Sequence, residues 1–360
     1  MTIHDALAVP ASSGAGVADL FADAVRQVLA DQCTPAVVRG IEAGQAHAAL
    51  WQSLEDAGFA DALVPEALGG AGLSLAEVFP VLALCGAFAL PLPLGETLLA
   101  RAVLAQAGVA IPKGSIALAQ AKETPQEVPD PANGLDSAVS LVCDGVPCGR
   151  VADWVLVVHL DQTYLLPVAP AVSSPSSFVI DARLVWSPQE VAATVRLPRA
   201  PDLRLLQGCV HAALLAGALQ TVFNSSLQYA NDRVQFGRPI GKFQAIQHQL
   251  SVMAEHAFAA RMAAQIGCQS GTAMPDRLRV GVAKARTSEA ALEVAALAHS
   301  IHGAIGFTEA FDLQLFTRRL HQWRSVGGSE SYWHTQLGLA LLDAGSALSL
   351  DLLRTATDRV

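Results

Sequence analysis

Charge is scarce in this 360-residue sequence: Asp, Glu, Lys and Arg make up 15% of it, against 52% hydrophobic residues. Basic residues are the scarcer sign, 23 Lys and Arg against 32 Asp and Glu, for a net charge of -9. Gripping nucleic acid takes clustered cations that displace phosphate counterions, so that class is excluded. The opening stretch MTIHDALAVPASSGAG lacks both a basic start and a long apolar run. It does not read as a secretory signal, and a cytoplasmic protein is expected. Residues 78–95 carry no charge and are long enough to raise the question of a membrane span, but Pro80, Pro91 and Pro93 interrupt them. A buried helix followed by a turn is expected, with no membrane partner. Of the six cysteines, Cys143 and Cys148 lie nearest in sequence, and no second pair completes a zinc set. Reduced, mostly buried thiols are expected, and no metal. No repeat of fixed period stands out, which argues against a solenoid.

What the sequence has in quantity is alanine and leucine, which favour helix. From residue 17 to about 108 apolar residues recur at helical spacing, broken at PEALGGAGLS (65–74) and at the prolines around residue 92. Between about 111 and 200 short apolar or β-branched runs appear at 115–121, 138–143, 154–159, 163–168 and 192–197, separated by Pro, Gly and Asp. After Pro201 the helical pattern returns, with breaks near 237–241, 271–275, 303–306 and 327–328. This predicts an α+β, mainly α chain in three parts: an N-terminal helical domain (1–110), a small, mainly antiparallel β domain (111–200) and a C-terminal helical domain (201–360). The Gly-Gly-Ala-Gly run at 69–72 follows no clear strand and lacks dinucleotide-fingerprint spacing, so a structural turn is expected.

Three motifs carry a resemblance. WQSLEDAGFADALVPEALGGAGLSLAEV (51–78), RVQFGRPIGKFQ (233–244) and SIHGAIGFTEAFDLQLFTRRLHQW (300–323) are similar to conserved-looking segments of the acyl-CoA dehydrogenase family. The resemblance implies that family's fold, with a four-helix bundle at the C-terminus, and FAD as cofactor. It places Arg233, Gln235, Phe236, Ile240 and Gln244, together with Gly303, Ser329 and Ser331, at positions that touch FAD. Arginine offers a planar fork of donors to pyrophosphate oxygens, and phenylalanine an apolar face to a ring. Two departures stand out: the family's glutamine is Ser300 here, and its second glycine is Ala304. His299 and His302 could also be read as a metal pair at i and i+3, though no carboxylate cluster accompanies them.

The family's reaction removes an acyl-CoA α-proton with a carboxylate base while the β-hydrogen leaves as hydride to the flavin. The base's usual place falls on Gly327. Its minority place, on the helix ahead of the arginine motif, falls on Gln207, and the bracing arginine's place on Gly208. Neither glycine nor an amide can take the proton. Glu330 is the carboxylate nearest the motif, and reads either as a relocated base or as a first-turn helix acid behind an N-cap at Ser329; Glu309 is a second candidate. The family's loop over the flavin ring has no counterpart near residues 117–131. The chain therefore resembles the base-less partner subunit of heteromeric acyl-CoA dehydrogenases of steroid breakdown. That implies a catalytic subunit as partner, an acyl-CoA substrate and an electron-transferring-flavoprotein-type acceptor. A self-sufficient homo-oligomeric dehydrogenase with a relocated base, and a flavin-free assembly subunit, are the other readings.

Overall fold

A computed structural model describes residues 16–122, 140–198, 200–343 and 349–357. The N-terminal stretch that bears on secretion, and most of the flavin-loop region expected near residue 119 onward, lie outside them. In chain order come α1 (Val17–Gln32), α2 (Pro35–Glu42), α3 (Ala48–Asp56), α4 (Leu75–Ala87) and α5 (Leu94–Gln106). Strands β1 (Ile116–Gln120), β2 (Leu141–Val146), β3 (Trp154–His159), β4 (Gln162–Pro167), β5 (Val172–Pro175) and β6 (Ala182–Trp186) follow, then α6 (Pro188–Ala192) and β7 (Val195–Leu197). The rest is α7 (Leu203–Asp232), a small hairpin β8 (Val234–Gln235) and β9 (Arg238–Pro239), then α8 (Gln244–Gly267), α9 (Arg277–His302), α10 (Leu313–Trp323), α11 (Glu330–Asp343) and α12 (Ser349–Thr357). The helical–β–helical order follows the apolar periodicity, and every expected helix break coincides with an observed one.

Contacts group these elements into two compact units, one of residues 1–38, 73–90 and 204–360, the other of residues 39–72 and 91–203. The second unit holds the strands. One sheet has the order β1-β3-β4-β7 and the other β2-β6-β5. All pairings within them are antiparallel except β1 with β3. Strand β1 is an edge, and α5 covers it: Ile116 N–H donates to Thr97 Oγ1 at 2.9 Å and Leu118 N–H to Glu96 Oε2 at 2.8 Å. Side chains of a helix thus take up the alternate amides that an open edge would offer to another chain. Buried Arg101 ties the same unit together, pairing with Glu55 and donating to Asp61 Oδ1 at 2.8 Å and the Gly114 carbonyl at 2.9 Å. The sequence pattern missed β5 and β6, because the Ser- and Pro-rich residues between 173 and 177 hide the short alternating run that follows. The Gly69–Gly72 run is a turn, with Gly69 (φ 88) and Gly72 (φ 63) in left-handed conformations.

The first unit is a helical bundle around α7, α8 and α9, joined by α1, α4, α10 and α11. α4 starts at a capping box: Glu77 N–H donates to Ser74 Oγ, and Ser74 N–H to Glu77 Oε2 at 2.8 Å. It is apolar nearly all round, Pro80 included, and ends in a turn before Leu94. α7 and the segment 277–307 are long and apolar enough to cross a membrane by composition, yet 78% of the apolar window of α7 is buried within the protein. α4 and α7 touch backbone to backbone. A Cβ on Gly86 would stand 1.9 Å from the Leu214 carbonyl oxygen, and one on Gly217 1.8 Å from that of Ala83. Any side chain there forces the helices apart, so Gly217→Val is expected to cost about 2–3 kcal/mol, read as a lower urea midpoint with an unchanged m-value.

Candidate functional site

α7 runs between two quite different ends of the bundle. At its C-terminal end the chain leaves the helix at Arg233, whose carbonyl accepts from Ile240 N–H at 2.8 Å. Val234 pairs with Pro239 and Gln235 with Arg238. The two residues of the turn, Phe236 (φ 52) and Gly237 (φ 79), both have positive φ, the geometry of a primed two-residue hairpin. For Phe236 that conformation costs about 1–2 kcal/mol, and its side chain recovers little by burial, being 92% exposed. Its ring meets Phe243 edge-on at 6.1 Å, and the Arg238 guanidinium lies 4.2 Å above the Phe243 ring. Arg233, Gln235 and Gln244 are exposed too, while Ile240 is half-buried against the bundle core.

The end of α9 stands beside this hairpin. Tyr229, one turn before Arg233, stacks on His302 at 4.3 Å and donates to its carbonyl at 3.4 Å. Gly303 follows with φ 66 and ψ -148, a conformation reserved for glycine, and nothing lies within 4 Å of where its Cβ would be. Ser300 accepts a hydrogen bond from Gln249 Nε2 at 3.1 Å. The two histidines go separate ways: His299 stacks on Phe307 and bonds Thr317 Oγ1 at 3.0 Å, and His302 Nδ1 bonds the Ala298 carbonyl at 2.8 Å. Burial holds the pKa of both below the usual range. An open surface of exposed arginine, amide and aromatic groups beside bare glycine backbone fits the outer part of an anionic aromatic dinucleotide. Glu309 is exposed at this end.

The other end of α7 is closed. Gln207 and Tyr229 stand about six turns apart, roughly 33 Å along the axis. Here Gly327 and Gln207, the two places where the family resemblance expects a base, meet in space. A Cβ on Gly327 would lie 2.4 Å from Gly208 N and 2.7 Å from the Gln207 carbonyl carbon, and Gly327 has φ 68. A Cβ on Gly208 would reach Trp333 Cζ2 at 2.9 Å and Val280 Cγ1 at 3.1 Å. Trp333, fully buried, donates from Nε1 to the Gly327 carbonyl at 2.9 Å. Backbone and indole fill the space that a side chain at Gly327 or Gly208 would need, while Gln207 keeps its own half-buried side chain.

Sequence reasoning missed the polar clasp around this plug. The Lys284 ammonium, 0% exposed, donates to the Arg324 carbonyl at 2.8 Å, the Gly328 carbonyl at 3.0 Å and Ser288 Oγ at 3.0 Å. Its three protons are thereby used, and the ammonium caps α10 while holding the turn into α11. Burial lowers its pKa from 10.5 to about 7, with Glu330 opposing the shift and Arg324 adding to it. Buried His211 bonds the Gln207 carbonyl through Nδ1 at 2.9 Å, and desolvation, with Lys284 nearby, brings its pKa to about 3. The signal for Lys284 was a stripe: Val280, Lys284 and Ser288 fall on one helix face, among small residues. Glu330 opens α11 and pairs with Arg324. Tyr332 N–H approaches Ser329 Oγ at 3.5 Å, and Ser331 is exposed. Ser329 and Ser331 thus lie at the closed end, away from the other six residues assigned to FAD.

With the geometry in view, comparison with known proteins decides the family. Residues 18–108 match the acyl-CoA dehydrogenase N-terminal domain and residues 208–340 the acyl-CoA dehydrogenase C-terminal domain. The acyl-CoA dehydrogenase IpdE2 of Mycobacterium tuberculosis is 30% identical over 306 residues, 84% of this chain and 90% of that protein. This chain belongs to the acyl-CoA dehydrogenase family. Among solved structures, a chain of the Tcur3481-Tcur3483 steroid ACAD superposes with a TM-score of 0.75 at 23% identity, covering 92% of this chain and 99% of that one. A chain of the ChsE4-ChsE5 complex from Mycobacterium tuberculosis gives 0.74 at 20%, covering 93% and 99%. These acyl-CoA dehydrogenase relatives share the fold described above.

Two outcomes follow from the closed end. Gly327→Glu is expected to lower stability by about 2 kcal/mol or more, measured by urea denaturation, since neither φ nor space admits the side chain. The depressed pKa of Lys284 means that between about pH 7 and 10.5 the unfolded chain binds a proton that the folded chain does not. Stability therefore rises with pH in that window. Above pH 9 buried Cys33, Cys85 and Cys143, pushed up to about 12 from 9.0, act in the opposite sense. From pH 7 to 9 the urea midpoint should climb in the wild type, and that part of the climb should be missing in Lys284→Met.

Proposed function

We propose that this chain is a subunit of an acyl-CoA dehydrogenase that acts on an acyl-CoA thioester of a lipid or steroid, lacks its own base, and completes an FAD site across a subunit interface. The observation that carries the reading is the opposition of the two ends of α7. The group that fits a dinucleotide is exposed and faces outward; the usual place of the base, Gly327, is packed against Gly208 and beside Trp333, and the alternative place holds an amide, Gln207. A chain that served its own flavin at the reacting carbon would need the usual place open. The existence of related folds in the ChsE4-ChsE5 complex supports a hetero-oligomer, the partner being a family member that keeps its carboxylate. The family matches at 18–108 and 208–340 support the division at about 110 and 200. A cytoplasmic location and an electron-transferring-flavoprotein-type acceptor complete the proposal.

FAD is the cofactor this family implies, and when bound it accepts the hydride from the acyl β-carbon. The residues of this chain that would hold it are Arg233, Gln235, Phe236, Ile240, Gln244 and Gly303. Arg233 supplies charge-assisted donors to phosphate oxygen, Phe236 an apolar face, and Gly303 backbone without a side chain. Proton removal belongs to the partner. The Glu330 carboxylate is engaged by Arg324, which favours a structural role over that of a relocated base.

Expressed alone, the chain should carry no stoichiometric FAD and should not oxidise acyl-CoA with an artificial acceptor. Co-expressed with a carboxylate-bearing family member, it should yield a mixed assembly with flavin absorbance. In that assembly Arg233→Ala should weaken FAD binding about tenfold or more at unchanged native mass. Full flavin occupancy and turnover by the chain alone contradict the proposal, and no flavin in either state favours a flavin-free assembly subunit.

A further inference from the structure

None of the chemistry above uses the cysteines, yet two of them, 59 positions apart, meet in the first unit. Cys209 Sγ and Cys268 Sγ lie 3.7 Å apart, each residue 1% exposed. Cys209 sits near the start of α7, and Cys268 caps α8, its N–H shared between the Ala264 and Gln265 carbonyls at 3.1 and 3.2 Å. Both sulfurs therefore hang from well-anchored helix backbone. A disulfide needs the sulfurs at about 2.05 Å, so closure from 3.7 Å brings them about 1.7 Å nearer through side-chain and backbone adjustment.

We infer that Cys209 and Cys268 form an oxidisable dithiol, a modification site at which hydrogen peroxide or a similarly small peroxide creates an intrachain disulfide fastening the start of α7 to the end of α8. The Cys209 sulfur and burial push the Cys268 thiol well above 9.0, so the reaction is slow and is favoured in alkaline solution. One sulfur attacks a peroxide oxygen as it gives up its proton; the O–O bond breaks, and the departing hydroxide takes up that proton as water, leaving a sulfenic acid. The second sulfur then attacks the first, the S–O bond breaks, and the hydroxide leaves with the second thiol proton as another water. The two thiols lose two electrons and the peroxide gains them. Burial selects a small oxidant, because a bulky aromatic disulfide has no path to sulfurs that are 1% exposed. The bond forms next to Gly208, whose backbone lies against Gly327, so it clamps the closed end of the bundle. This inference stands whether or not the chain holds FAD.

The test uses the full, reduced chain treated with hydrogen peroxide, then alkylated under denaturing conditions and analysed by intact mass and non-reducing peptide mapping. The expected result is loss of two hydrogens, linkage of the peptides bearing Cys209 and Cys268, reversal by dithiothreitol, and a Tm several degrees higher in the oxidised form. Cys268→Ser should abolish the loss of two hydrogens; Cys209→Ala serves if that variant does not fold. Oxygen addition without linkage, linkage through other cysteines, or no change in the wild type overturns the inference.

Discussion

Backbone touching backbone at Gly208 and Gly327 is the contact on which the reading of this molecule turns. A Cβ on Gly327 would lie only 2.4 Å from Gly208 N, and positive φ at Gly327 leaves no conformational way out for a larger residue. The surroundings are built to keep that contact. Trp333 fills the gap beside it and binds the Gly327 carbonyl, Lys284 donates two of its protons to the neighbouring turn and the third to Ser288, and His211 bonds the Gln207 carbonyl from within α7. A buried ammonium and a buried imidazole are costly to desolvate. Here the ammonium is matched to the Arg324 and Gly328 carbonyls at the end of α10 and the turn after it and to the Ser288 hydroxyl, and the imidazole to the Gln207 carbonyl within α7.

This arrangement differs in kind from the loss of a side chain that leaves an empty pocket. In an emptied pocket a single substitution could bring the carboxylate back. Here the turn from α10 into α11 lies against Gly208, so a side chain at Gly327 has no room; at the alternative place an amide, Gln207, stands where a carboxylate would be. The contrast with the far end of α7 gives the arrangement its functional sense. There Phe236 is held in an unfavourable conformation and left in solvent, and Gly303 adopts a conformation open only to glycine. Strain and exposure stand together at one end and dense packing at the other, the contrast on which the proposed division of labour between subunits rests.

Much of this was legible in the sequence, and for physical reasons. Helical periodicity and its glycine and proline breaks located the long helices, since a 3.6-residue repeat of apolar residues follows directly from burial of one face. The Phe-Gly-Arg-Pro run announced a turn between α7 and α8, because positive φ at two successive positions needs a glycine in one of them. Gly327 and Gln207, found by separate counts, proved to be neighbours in space. What stayed hidden depends on tertiary packing. Lys284 and Trp333 look like a surface cation and an ordinary aromatic until α9, α10 and α11 are brought together, and Cys209 and Cys268 are unrelated thiols until α7 and α8 align. The strands β5 and β6 were too short and too polar at their start to rise above the surrounding loop. The split of the chain into two interleaved units, with α4 grouped with the C-terminal helices, reflects the Gly86 and Gly217 contacts and has no local sequence signature.

The proposed absence of a base can be tested apart from any flavin chemistry. Incubating the chain with an acyl-CoA in deuterated water and following the α-position by mass spectrometry reports proton abstraction alone. The account predicts no deuterium incorporation above the buffer rate with this chain alone, and rapid incorporation once a carboxylate-bearing partner is present. Incorporation catalysed by this chain alone, and abolished by Glu330→Gln, would contradict it.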